Sequence, residues 1–262
     1  MASPALPGAA TLIRVVAGST FREAVRSRTF LGLLVIFAVC VGLSRIVGWV
    51  SSTDGNVVTT DLVMSLQAII GVLVAVATGT ALVQSEITNK TLYTVISRPI
   101  ARWQFVVGKY LGLAAGLALG QAAMLAIGLA YLAATGAEVH RWLLLAGLMT
   151  LVEVLVMAAV SLCWTALSSP LLAAVLGLAT WFCGHAVASL PELINHLKGW
   201  QLLVAAGLAS LVPNLGQFAY RNQAVYQLPL GWTDLGQRLG YGALWIALLV
   251  TLTVVVFRRK HL

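Results

Sequence analysis

Charge is the first thing this sequence runs short of. Lys and Arg number 16 and Asp and Glu 8 in 262 residues, 9% charged in all, where a soluble domain carries about 25%. With 60% hydrophobic residues and a mean hydropathy of +0.95, that shortage excludes a large soluble domain and points to a polytopic membrane protein. Acids are the scarcer sign, and the net charge is +8. The cations form no single patch. They flank apolar runs, which fits membrane orientation and anionic lipid headgroups and argues against nucleic acid as a partner.

Cysteine is thin as well. Cys40, Cys163 and Cys183 all lie inside apolar segments, in a number and spacing that make neither a disulfide framework nor a zinc pattern. No Walker A sequence, H-E-x-x-H pair or G-x-S-x-G elbow occurs. No catalytic residue, metal ligand set or cofactor is therefore assigned, and energy for any transport has to come from an ion gradient or a separate subunit. There is no solenoid-period repeat and no low-complexity linker. The first apolar run follows a long basic segment without a convincing cleavage site, so it does not read as a signal peptide. One integral domain over residues 1–262 is the simplest division.

What is abundant is long apolar helix. A span needs about 20 apolar residues to cross about 30 Å, and six candidates fit, near 29–49, 61–83, 105–134, 141–166, 170–190 and 239–257. Pro170 suits the first turn of the fifth, with Ser168 or Ser169 as its cap. With the N-terminus inside, the inner side holds eleven basic residues: Arg14, Arg22, Arg26, Arg28, Lys90, Arg98, Arg102, Lys109, Arg258, Arg259 and Lys260. The outer side holds five: Arg45, Arg141, Lys198, Arg221 and Arg238. Both termini are expected to be cytoplasmic. Residues 191–238 form the longest outer segment. Within it 200–212 is apolar but, at 1.5 Å per residue, reaches only about 20 Å, so it is expected to be re-entrant or interfacial. Residues 11–27 form an amphipathic helix, with Ile13, Val16, Phe21, Ala24 and Val25 on one face and Arg14, Arg22 and Arg26 on another. It reads as an interfacial helix on the inner leaflet or a plain flanking anchor.

Few residues inside the spans could carry chemistry. Glu153, near the middle of the fourth, is costly there as an ion, and so is expected to be protonated, paired or facing a water-filled cavity. It is either a transport-pathway residue or a neutral acid bonded to a neighbouring helix. Gln67, Gln84 and Gln121 pose a milder form of the question, which interhelical hydrogen bonds answer. Cys183 and His185 are two residues apart and point about 200° away from each other on a helix, so they do not share a metal. Glu192 and His196 share a face and read as a solvated pair. Gly108, Gly112, Gly116 and Gly120 form a four-residue ladder that lets another helix approach closely; contact within one subunit is favoured over contact between two.

One polar, basic island interrupts the apolar spans, SEITNKTLYTVISRPIARWQFVVGKYLG from Ser85 to Gly112. Pro99 splits it into two short helical pieces, since proline cannot continue a helix and biases Arg98 away from helical geometry. The island resembles the first cytoplasmic loop of permease subunits of type-2 ABC exporters: Glu86, then Thr91-Leu92, Val95-Ile96, Ser97-Arg98-Pro99-Ile100, Arg102 and Gly108-Lys109-Tyr110-Leu111. Lys90 stands where that family often has glycine. The layout is similar too: a basic amphipathic helix, six spans, a partly inserted outer segment and a short basic tail. Leu211-Val212-Pro213-Asn214-Leu215 is similar to a Pro-Asn element before the last span of such permeases. The nearest branch is the small permeases grouped with copper-enzyme-maturation and gliding-associated exporters.

The resemblance implies an all-α fold and a division of labour. Two copies of the permease form the membrane core, and a dimer of ABC ATPase subunits, holding ATP and magnesium, docks beneath. The loop 84–104 acts as a cytoplasmic coupling helix. Leu92, Tyr93, Val95 and Ile96 suit apolar contact with the ATPase, and Lys90, Arg98, Pro99 and Arg102 its rim or the headgroups. The location implied is a bacterial inner membrane, with membrane lipids around the chain and a periplasmic partner on the outer side. The alternatives are an ion-coupled secondary transporter using Glu153, although the paired broken helices of such proteins are not seen, and a membrane assembly subunit that transports nothing.

Overall fold

The computed structural model describes residues 9–50, 55–88, 101–188, 207, 212–226 and 231–259, and all regular structure among them is helical. The principal helices are α1 (Ala9–Arg26), α2 (Arg28–Val50), α3 (Gly55–Thr88), α4 (Arg102–Ala134), α5 (Arg141–Leu167), α6 (Pro170–Ala188), α7 (Arg221–Val225) and α8 (Trp232–Arg259), with a 3-10 turn at Leu215–Phe218. Six of them, α2 to α6 and α8, are long and apolar enough to cross a membrane.

The helix ends follow local chemistry. α4 stops at a Schellman motif: Gly136 takes a φ of 76°, Ala137 N–H donates to Leu132 O and Gly136 N–H to Ala133 O, a backbone turn that glycine adopts without strain. At the other end of α4, Gln104 Oε1 accepts from Ala101 N–H at 3.2 Å. α5 and α6 form a hairpin with the short link read from the sequence. Ser168 N–H and Oγ both bond Trp164 O, and Pro170 opens α6.

α5 is apolar on all faces and sits at the centre, with Met149, Val154, Val156, Met157 and Ala158 buried, as expected of a helix surrounded by others. α3 packs beside it. α2, α6 and α8 are peripheral and carry exposed aliphatic side chains such as Val35, Leu171 and Leu244. Lipid tails are as apolar as leucine, so burial alone does not hold such a bundle together; close backbone approach and hydrogen bonds do. Gln67 Nε2 donates to Gln121 Oε1 at 3.0 Å across α3 and α4. Buried Thr78, Thr80, Thr165 and Thr253 return their hydroxyls to the carbonyl four residues back, which satisfies them without a partner helix.

The glycine ladder on α4 faces α1 and the start of α2. A Cβ added at Gly108 would lie 2.9 Å from Val16 Cβ, at Gly112 2.7 Å from Thr20 Cβ, at Gly116 3.2 Å from Ala24 Cβ and at Gly120 2.8 Å from the Phe30 ring. All four contacts are within this chain. The residues met rise in number together on the two partners, so α1 runs parallel to α4 and lies along it. Its apolar stripe is covered by protein, and Arg14, Arg22 and Arg26 are left exposed.

Three boundaries differ by five residues or more from those read in the sequence. α3 starts at Gly55, six residues before the apolar stretch, and runs on to Thr88, five residues beyond it. α8 begins at Trp232 rather than near 239, because its polar first turns have a use. Arg238 meets Asp234 and donates to Gln217 O at 2.7 Å. Tyr220 Oη–H donates to Asp234 Oδ2 at 2.7 Å, and Asn214 N–H donates to Tyr241 Oη at 2.8 Å. These bonds clamp residues 214–220 onto the end of the bundle.

Candidate functional site

Glu153 lies on α5, one helix away from α6. On α6, Trp181 and His185 are four residues apart and so share a face. Both reach the same carboxylate oxygen: Trp181 Nε1–H donates to Glu153 Oε1 at 2.8 Å, and His185 Nε2 lies 2.9 Å from it. The Trp181 and His185 rings stand edge to face with centroids 5.2 Å apart. The Glu153 side chain is only 3% exposed, and these two donors offset the cost of placing a carboxyl group at that depth.

A cavity of about 350 Å3 opens beside this group, within the size range of small-molecule sites. α3, α5 and α6 form its walls, and residues 218–221 close its end. Arg221 sits at the rim, paired with Asp61 (Nε to Oδ1 2.9 Å) and donating to Ser65 Oγ at 2.6 Å. Both partners are over two-fifths exposed, so this ion pair is a weak tie, worth about 0–1 kcal/mol. Tyr220, buried behind it, has its phenol pushed up to about 12, first by burial and then by the bond to Asp234.

The opposite end of the bundle has a different architecture. α3 and α4 contain 34 and 33 residues, about 50 Å each at 1.5 Å per residue, against the ~30 Å of a bilayer core. At one end the helices finish level: Tyr131 Oη–H donates to Gly42 O, Arg45 to Asn56, and Asn56 to Gly136 O. The other end, formed by residues 80–88 of α3 and 102–112 of α4, is termed the stalk. α1 braces it through Gly108 and Gly112. Arg102 ties α8 to the same level, donating through Nη1 to Phe257 O at 3.0 Å.

Residues 14–262 match the family model described as ABC-2 family transporter protein. The chain belongs to the ABC-2 transporter family. Among curated proteins none matches it. As an ABC-2 permease it is the membrane component of an ABC transporter, in a family whose members are not themselves ATPases and work with an ABC ATPase subunit.

Within this ABC-2 permease, the residues picked from the sequence fall at two ends. Glu153 is at the cavity; Arg102, Gly108, Gly112, Gly116 and Gly120 are in or near the stalk. Lys90, Leu92, Tyr93, Val95, Ile96, Arg98 and Pro99 lie outside the described residues, as do Glu192, His196 and nearly all of the apolar stretch 200–212. Cys183 is exposed and His185 turns to Glu153, so the two do not converge. Sequence reasoning missed Trp181 and His185 as partners of Glu153. Their four-residue spacing on an otherwise apolar helix was the available signal, and attention to the nearer Cys183–His185 pair hid it.

Proposed function

We propose that this permease is the membrane half of an ATP-driven exporter, with the loop 84–104 as its contact to the ATPase. The overshoot of α3 and α4 carries the reading. Two helices longer than a bilayer core requires, braced by α1 and tied to α8, flank the basic, proline-split island in the chain, and that length is what would carry the island clear of the headgroups. Movement imposed there is passed along rigid helices: α4 packs on α3 and α5, and α5 carries Glu153.

The positive-inside bias puts the stalk and both termini on the cytoplasmic side of a bacterial inner membrane. The cavity then faces the outer half, where cargo or a periplasmic partner would be met, and Glu153 becomes a station on the transport path. A second copy of the chain and lipid share the exposed aliphatic faces of α2, α6 and α8, while ATP and magnesium belong to the ATPase pair. The loop sequence places the chain nearest the copper-enzyme-maturation and gliding-associated branch.

Co-purification tests the proposal. An ABC ATPase subunit expressed with this chain should be captured by it, and replacing Leu92 and Tyr93 by glutamate should abolish capture while leaving the permease folded. Transport in vesicles holding this chain alone, without ATP, would overturn the reading.

A further inference from the structure

The chemistry of the cavity is narrower than its size. Trp181 and His185 both bond Glu153 Oε1. Oε2 has no hydrogen-bond partner among the described residues, yet Glu153 lines the cavity, so Oε2 is the acceptor left for a ligand. Among the described residues, Glu153, His185, Tyr220 and Arg221 line the cavity, and Asp61 pairs with Arg221 at its rim. Arg221 is already matched by Asp61 and Ser65. Oε2 is thus the one carboxyl oxygen turned to the cavity without a donor, and an ammonium N–H supplies a charge-assisted bond to it.

The remaining walls are mostly apolar and aromatic, with hydroxyls at Ser65, Thr150 and Tyr220. Trp181, Phe182 and Phe218 line the cavity with Met64 and Ile69. Phe182 and Ile69 are also exposed on the sides of α6 and α3, at 67% and 43%, so the cavity is apolar on that side and carries its charged rim at Arg221 and Asp61. Ring faces attract cations and accept flat apolar groups.

We propose that this cavity binds a protonated primary amine carried on an apolar or aromatic body, the ammonium on Glu153 Oε2 and the body against Trp181, Phe182 and Phe218. The ligand's role as cargo rests on the reading of Glu153 as a station on the transport path. Recognition is by charge: a neutral alcohol of the same shape offers Oε2 only an uncharged hydrogen bond, and an anion meets the carboxylate.

The test uses the full chain in lipid nanodiscs, with no ATP and no ATPase, and equilibrium dialysis against labelled tryptamine, tryptophol and indole-3-acetate, which share an indole body and differ in charge. Uptake by empty nanodiscs is the baseline. Tryptamine should bind saturably and about tenfold or more tighter than the other two, the scale of one charge-assisted hydrogen bond. Glu153→Gln, which keeps the side chain's shape, should erase that preference. Ala68→Phe should fill the cavity from α3 and abolish uptake of all three, with Glu153 intact. Equal binding of the three probes, preference for the anion, a cation preference that survives Glu153→Gln, or no saturable tryptamine uptake would each overturn the proposal. None of these outcomes depends on ATPase capture, so failure here and failure of the exporter reading are separate results.

Discussion

At the scale of single residues, a scarce polar side chain is informative because lipid and packed helix offer it nothing but its neighbours. Glu153 is buried and bonded by Trp181 and His185. Glu153→Ala leaves those two polar groups without their acceptor, and chemical denaturation in detergent should show a loss of about 1–3 kcal/mol. Glu153→Gln keeps an acceptor oxygen and should lose less. Tyr220 gives a pH test. Its phenol is raised from the ordinary 10.0 to about 12, so its contribution to stability is complete below pH 10 and declines as pH climbs towards 12. Thermal melts across that range should fall more steeply for the native chain than for Tyr220→Phe. At Gly112 an added side chain meets the Ala17 carbonyl and Thr20, whereas Gly42 has nothing near it. Gly112→Leu should weaken the docking of α1 by ~1–3 kcal/mol and speed tryptic cutting at Arg14, Arg22 and Arg26. Gly42→Leu should digest like the native chain.

At the scale of elements, the stalk depends on helices longer than a membrane needs. The basic island joins its two helices in the chain, and removing α1, which braces α4 along the glycine ladder, should lower ATPase capture severalfold without preventing membrane insertion. Much of this was legible in the sequence. Six apolar runs announce six helices because each has to satisfy its own backbone within the bilayer, and the four-residue glycine spacing announces a close neighbour. The neighbour's identity was not legible: the amphipathic N-terminal helix presents the same pattern to a lipid surface and to a groove on α4. Nor was the true start of α8, since Asp234 and Arg238 resemble a solvated outer segment until Tyr220 and the Gln217 carbonyl are seen against them. Glu153 stood out as an acid in an apolar run, but its partners are 28 and 32 residues away, a separation that no local pattern encodes.

At the scale of the whole molecule, the bundle has two differentiated ends: the stalk, where α3 ends and α4 begins, and a level end with a capped cavity and a buried carboxylate. A machine driven from one side and loaded from the other needs that polarity, and α3, α4 and α5 join the two ends through continuous packing. The link between the island and an ATPase is the point on which this mechanism turns. A photo-crosslinking side chain at position 92, in the assembled transporter in native membranes, examines it directly. It should join the permease to the ATPase subunit, with a yield that changes when nucleotide hydrolysis is blocked. Crosslinks to lipid alone, or labelling of position 92 from the outer face by a membrane-impermeant reagent, would contradict it.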